Sequence, residues 1–96
     1  MIQKFNPFTV NEYPTSTVRV LLFAAARERL QRDAVEIALP PTATVGLLRS
    51  RLAAAFPEIA PLLARSAIAV NREFAEDSLT LCESDEIAVI PPVSGG

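Results

Sequence analysis

Residues 86–96 read EIAVIPPVSGG, a short apolar run that stops at two adjacent prolines. Ile and Val suit a pleated, half-buried surface, so residues 86–90 predict a strand. Alternation across that strand separates Ile87 and Val89 on one face from Glu86, Ala88 and Ile90 on the other. The charge of Glu86 marks its face as the outward one. Pro91 and Pro92 cannot donate to a sheet ladder, so the strand ends there, and their fixed φ favours an extended departure. Near the other end of the chain, residues 17–23 (TVRVLLF) form a matching strand. Arg19 points outward, which puts Val18, Val20 and Leu22 inward and Leu21 and Phe23 outward.

Between these two strands the pattern changes period several times. Residues 24–31 (AAARERLQ) read as a turn or short helical connection. Residues 34–39 (AVEIAL) alternate as a second strand, a hairpin partner of the first that ends at Pro40 and Pro41. Thr44 is a candidate N-cap for a helix running to about Ala55. Val45, Leu48, Leu52, Ala55 and Phe56 share one stripe at helical spacing, with Leu47 on the opposite side. Pro57 stops that helix, and residues 58–66 read as a loop with a short turn of helix. Residues 67–71 (AIAVN) predict a third strand, with Asn71 suited to the tight turn after it. Phe74 opens a short fourth segment, and residues 79–85 form a turn-rich return. The order β-β-α-β-(β)-β lets the first and last strands lie side by side in the centre. It predicts an α+β fold of ubiquitin-like β-grasp type, a mixed four- to five-stranded sheet with one main helix on one face. Residues 17–90 make the domain, residues 1–16 a flexible arm punctuated by Pro7 and Pro14, and residues 91–96 an extended tail.

Composition removes many functional classes. Ninety-six residues suffice for a single core, and 50% apolar with 21% charged residues is a globular mix. Nine basic against 11 acidic residues give a net charge of −2, with no basic stripe for nucleic acid or a membrane surface. The arginines at 27, 29, 32, 49, 51, 65 and 72 are interspersed with acids and read as solvated surface. A lone cysteine, Cys82, forms no internal disulfide and suits a reducing, cytoplasmic setting. No run is long enough to span a membrane, and no signal-peptide pattern opens the chain. Without histidine, and with a single thiol, the chain lacks a zinc ligand set and a nucleophile–base pair. The expectation is therefore no metal, no bound cofactor and no catalytic side chain. Any chemistry must use another group.

Two features supply candidates. Leu21, Phe23, Ala88 and Ile90 share the face that the helix leaves uncovered, and Phe74 can join them. Such a patch implies a partner, unless the arm covers it with Phe5 and Phe8. The second feature is the end of the chain. Only three glycines occur, and two of them are Gly95 and Gly96. Six residues from Pro91 to Gly96 span roughly 20 Å. Residues without a Cβ can thread a narrow channel, and a terminal glycine leaves an activated carbonyl uncrowded.

The segment 85–96 (DEIAVIPPVSGG) closely resembles the end of the small subunits of molybdopterin synthase, members of the ubiquitin-like sulfur-carrier family. Residues 23–28 (FAAARE) and 69–71 (AVN) resemble that family's opening and third strand, so the likeness covers about residues 18–96. The resemblance implies that an E1-like enzyme adenylates Gly96 with ATP and that a sulfur donor converts it to a thiocarboxylate. It further implies that Pro92, Val93, Ser94, Gly95 and Gly96 enter the large subunit of molybdopterin synthase. There the sulfur passes to cyclic pyranopterin monophosphate. Phe23, Phe74 and Ile90 match the apolar positions with which the family grips its partners. ATP is used by the activating partner and not held by this chain. The stretch Val89-Ile90 is less aromatic than is common in the family, and residues 1–16 lie outside the likeness. The same tail would serve a sulfur carrier for cysteine or thiamine synthesis, or a modifier conjugated to lysines through Gly96.

Overall fold

The computed structural model describes residues 16–93; residues 1–15, including Phe5 and Phe8, and Ser94, Gly95 and Gly96 lie outside the described residues. The apolar alternation of the first strand becomes β1 (Ser16–Leu22), followed by α1 (Ala24–Leu30) and β2 (Ala34–Leu39). Then come α2 (Val45–Ala55), a 3-10 turn (Pro57–Ile59), α3 (Ala60–Arg65), β3 (Ala67–Val70), β4 (Glu73–Ala75) and β5 (Ile87–Ile90). The five strands form one sheet in the order β2-β1-β5-β3-β4. The pair β1–β5 is parallel and central, and the other neighbours are antiparallel. This is the mixed β-grasp sheet that the element order predicts. The first strand begins one residue early: Ser16, assigned to the arm, pairs with Leu39, and its hydroxyl donates to the Glu83 carboxylate.

Inward residues of the strands meet the helices in one core. Val18, Val20, Leu22, Val35, Ile37, Leu39, Ile68, Ile87 and Val89 pack with Val45, Leu48 and Leu52 of α2. The N-terminus of α2 is fully engaged. The Leu47 N–H donates to the Thr44 hydroxyl at 3.2 Å, and the N–H groups of Val45 and Gly46 donate to the carbonyls of Leu79 and Asp77. A side chain at Gly46 would crowd Asp77, its Cβ lying 3.3 Å from that residue's own. Glycine here lets the 76–79 loop close over the helix start.

Three expectations about this region need correction. Residues 58–66, read as a loop with a short turn of helix, instead belong mostly to a 3-10 turn (Pro57–Ile59) and α3 (Ala60–Arg65), which bury Ile59, Leu62 and Leu63. Pro57, which stops α2 as expected, and Pro61 both occupy first-turn positions where a missing N–H costs nothing. The α2 stripe is also shorter and wider than its spacing suggests. Ala55 is exposed because the chain leaves the helix at Phe56, which is only half-buried, whereas Leu47 packs against the core. Arg49, finally, is not solvated surface. Its guanidinium donates to the carbonyls of Leu63 and Ser66 at 2.6 and 2.8 Å and pairs with Asp77 at 3.0 Å. One planar fork thus joins α2, the end of α3 and the loop before β5.

The β3–β4 turn is left-handed at both central residues, with φ of 55° at Asn71 and 71° at Arg72, the geometry that lets two residues close a twisted hairpin. Asn71 then reaches across to the entry of β5. Its amide donates to Asp85 at 2.9 Å, its carbonyl oxygen accepts from the Glu86 N–H at 2.9 Å, and its own N–H donates to the Glu86 carbonyl at 2.7 Å. Those three bonds fix where β5 begins, and so where it ends.

Leu52 has no solvent exposure and sits at the centre of this packing. Truncation to alanine should cost about 2–5 kcal/mol of unfolding free energy, measured by urea titration.

Candidate functional site

The outer face of the sheet carries the site. Strand pairing sets Leu21 opposite Ala88, Ala88 opposite Ala69, and Ala69 opposite Phe74. Paired residues project to the same side, so these four form one row across four strands. Neighbouring strands lie roughly 4.8 Å apart, which makes the row about 14 Å wide. Its two central members are alanines and its end members are Leu21 and Phe74. The result is a trough with a shallow floor and raised walls. Phe23 and Ile90, one row further on, line the same concavity of about 360 Å³, and Arg72 and Glu86 also line it. Phe74 is 77% exposed and Phe23 43%. Arg72 and Glu86 form an exposed ion pair at 3.5 Å. Towards β2 the apolar surface gives way to Arg19, which pairs in register with Glu36.

Phe23 is held at this rim by its backbone. It is extended, and its carbonyl accepts from the N–H groups of Ala26 and Arg27 at the start of α1. The turn from strand to helix therefore leaves the ring outside the core.

The tail leaves from the same place. Because β1 and β5 run parallel with Leu22 beside Val89, the residues that follow, Phe23 and Ile90, emerge at one end of the sheet. Pro91 is buried there, while Pro92 and Val93 are exposed, Val93 at 87%. The trough thus runs up to the root of the tail. Phe23, Phe74 and Ile90 are brought to one face, and Pro92 and Val93 project from its end. Ala69 was not legible as a site residue. It lies in a strand whose last three residues are all buried, and only the β3–β5 register reveals it as the floor of the trough.

Nothing else in the described residues competes as a chemical centre. No buried polar side chain there lacks a hydrogen-bond partner, and no group of three His, Cys, Asp or Glu converges as for a metal ion. No described helix is long and apolar enough to cross a membrane. The free thiol of Cys82 is exposed in the return before β5.

The sequence profile of the ThiS family matches residues 20–96. The chain belongs to the ThiS family. It is 38% identical over 82 residues to the molybdopterin synthase sulfur carrier subunit of Dictyostelium discoideum, covering 81% of this chain and 94% of that one. It is 37% identical over 81 residues to the protein of the same name from Escherichia coli K12, covering 82% and 99%. Among solved structures, it is similar to SAMP1, the small archaeal modifier protein 1 of Haloferax volcanii. That likeness has a TM-score of 0.74 and 27% identity over 84% of this chain and all of the other. The ThiS-family assignment and the strand order agree, since these β-grasp neighbours match the sheet as well as the sequence.

For this ThiS-family chain, the trough is a surface feature and not part of the core. Phe74→Asp should therefore leave the unfolding free energy within about 0.5 kcal/mol of the parent in a denaturant titration.

Proposed function

We propose that this chain is a sulfur carrier in molybdenum cofactor biosynthesis, working through the carboxyl group of Gly96. The observation that carries the reading is the apolar trough ending at the root of a tail whose sequence closes in Gly95-Gly96. A partner that grips Leu21, Phe23, Phe74 and Ile90 receives the tail at a defined position and direction. Family membership and the names of the relatives point to the same role.

A carboxylate is a poor electrophile, so its oxygen must first become a leaving group. An E1-like enzyme supplies this by forming an acyl adenylate from ATP and releasing pyrophosphate. A sulfur donor then displaces AMP, and the thiocarboxylate keeps the sulfur as a nucleophile. Delivered into the large subunit of molybdopterin synthase, that sulfur attacks cyclic pyranopterin monophosphate, and hydrolysis returns the Gly96 carboxylate. Pro92, Val93, Ser94, Gly95 and Gly96 form the part that enters the partner. The side chains of this chain bind and orient; the reacting groups of the transfer step belong to the large subunit. The lone free thiol is compatible with a reducing compartment, and we place the reaction in the cytoplasm.

A second reading, a protein modifier joined to lysines through Gly96, is favoured by the likeness to the small archaeal modifier protein. Intact-mass measurement on protein from its native host separates the two. A carrier gains the mass difference between sulfur and oxygen, whereas a modifier is found attached to other proteins through an amide. With purified partners, deletion of Gly96 should abolish dithiolene formation; product formed by the shortened chain would refute the mechanism. Phe23→Asp should weaken the complex with the large subunit by roughly tenfold or more, measured by calorimetry, with the fold retained.

A further inference from the structure

The β3–β4 turn contains a residue that its backbone does not favour. Val70 pairs with Glu73, so Asn71 and Arg72 are the whole of the turn, and Arg72 has φ of 71°. Glycine is the usual second residue of such a turn, because a Cβ crowds the following carbonyl in the left-handed region. Asn71 tolerates that region, and its side chain is used in the bonds to Asp85 and Glu86. Arg72 has no comparable backbone reason to be there.

Strain by itself assigns no role. Ala24, Gln31 and Thr42 also have positive φ, and none of them lines the trough. Arg72 does, and it is the one cation among the lining residues. Its side chain is 86% exposed, so burial does not hold it in place. Its ion pair with Glu86 is made through Nε at 3.5 Å, and the Glu86 side chain is itself 48% exposed. A surface pair of this kind adds little to stability. The fold therefore gains less from this arginine than the left-handed backbone costs it, which points to a use for the side chain outside the fold.

The guanidinium fork supplies that use. Nε faces Glu86, while Nη1 and Nη2 take no acceptor among the described residues. Two parallel N–H groups of this kind match the two oxygens of a carboxylate. Glu86 is fixed at the entry of β5 by its backbone bonds to Asn71, so the guanidinium is tethered to the strand that carries the tail. Glu73 and Glu76, which line the next concavity with Phe74, repel a carboxylate that misses the fork.

We propose that Arg72 is a specificity-determining contact, whose guanidinium takes a carboxylate of the partner that seats on the trough. The proposal rests on the reading that this partner is the large subunit of molybdopterin synthase. An apolar trough alone accepts an apolar ridge in several positions. One directional ion pair at its edge selects the ridge that carries an acid at the matching place. A partner without that acid desolvates Arg72 and leaves two of its donor groups unpaired.

The test measures binding of the full chain to the purified large subunit by calorimetry, alongside thermal melts of the chain alone. Arg72→Gly should leave the melt midpoint unchanged or raise it by up to about 5 °C, because the left-handed strain is relieved. The same substitution should weaken the complex by about fivefold or more. Arg72→Asn, which accepts the same backbone with less freedom than glycine, should weaken it equally and so exclude a loosened turn as the cause. Single Asp→Asn and Glu→Gln variants of the large subunit then locate the carboxylate. One of them should weaken the parent complex by a similar factor and cost nothing further against Arg72→Gly. A melt lowered by Arg72→Gly, a smaller loss of affinity in either variant, or the lack of any coupled acid would overturn the proposal. If the parent chain itself does not bind the large subunit, the functional reading fails first and this proposal falls with it.

Discussion

The parallel pairing of β1 with β5 governs the rest of the molecule. Val20, Leu21 and Leu22 sit beside Ile87, Ala88 and Val89, and this alignment does two things together. It turns Val20, Leu22, Ile87 and Val89 into the core, and it puts Leu21, Phe23, Ala88 and Ile90 on the outer face. Side chains alternate with a period of two, so a slip of one residue would exchange those sets and bury the trough. It would also move the root of the tail by one strand step, about 3.3 Å. The apolar outer trough and the root of the tail are therefore set by one register.

That register is secured from outside the pair. Asn71 clamps the first residues of the β5 approach through three hydrogen bonds, and β3 zips to β5 over Ala67–Val70. On the inner face, α2 and α3 close the core, and Arg49 ties both helices to the loop leading back towards β5. A fork that satisfies two helix-end carbonyls and one carboxylate brings three segments together without leaving a buried polar group unpaired. Among the described residues the helices pack on the inner face of the sheet alone, and the buried core lies there.

The shape of the trough follows from small residues as much as large ones. Phe23 and Phe74 are conspicuous in the sequence, but they become walls only because Ala69 and Ala88 lie between them. Bulkier residues at those two places would fill the trough and leave a flat apolar face. The exposed aromatics and the alanine floor form one concavity, and it runs up to the end of β5, where the tail begins.

Much of this could be read without coordinates. The alternation in residues 17–23 and 86–90, the cap at Thr44 and the prolines after β5 determined the strands, their inward faces, the start of α2 and the end of β5, because those signals are local and each depends on its own backbone geometry. The absence of histidine and the closing Gly95-Gly96 are the sequence features on which the proposed chemistry at Gly96 rests. Pro57 reads correctly as the stop of α2, but residues 58–66 mislead, since a proline inside an apolar stretch does not show whether a helix starts there until the neighbouring residues have packed. Arg49 and Ala69 were equally invisible. The role of each is set by residues 14 to 28 positions away for Arg49 and by cross-strand partners for Ala69. Only the tertiary structure decides such partners, because hydrogen-bond forks and sheet registers bring together groups that no local pattern relates.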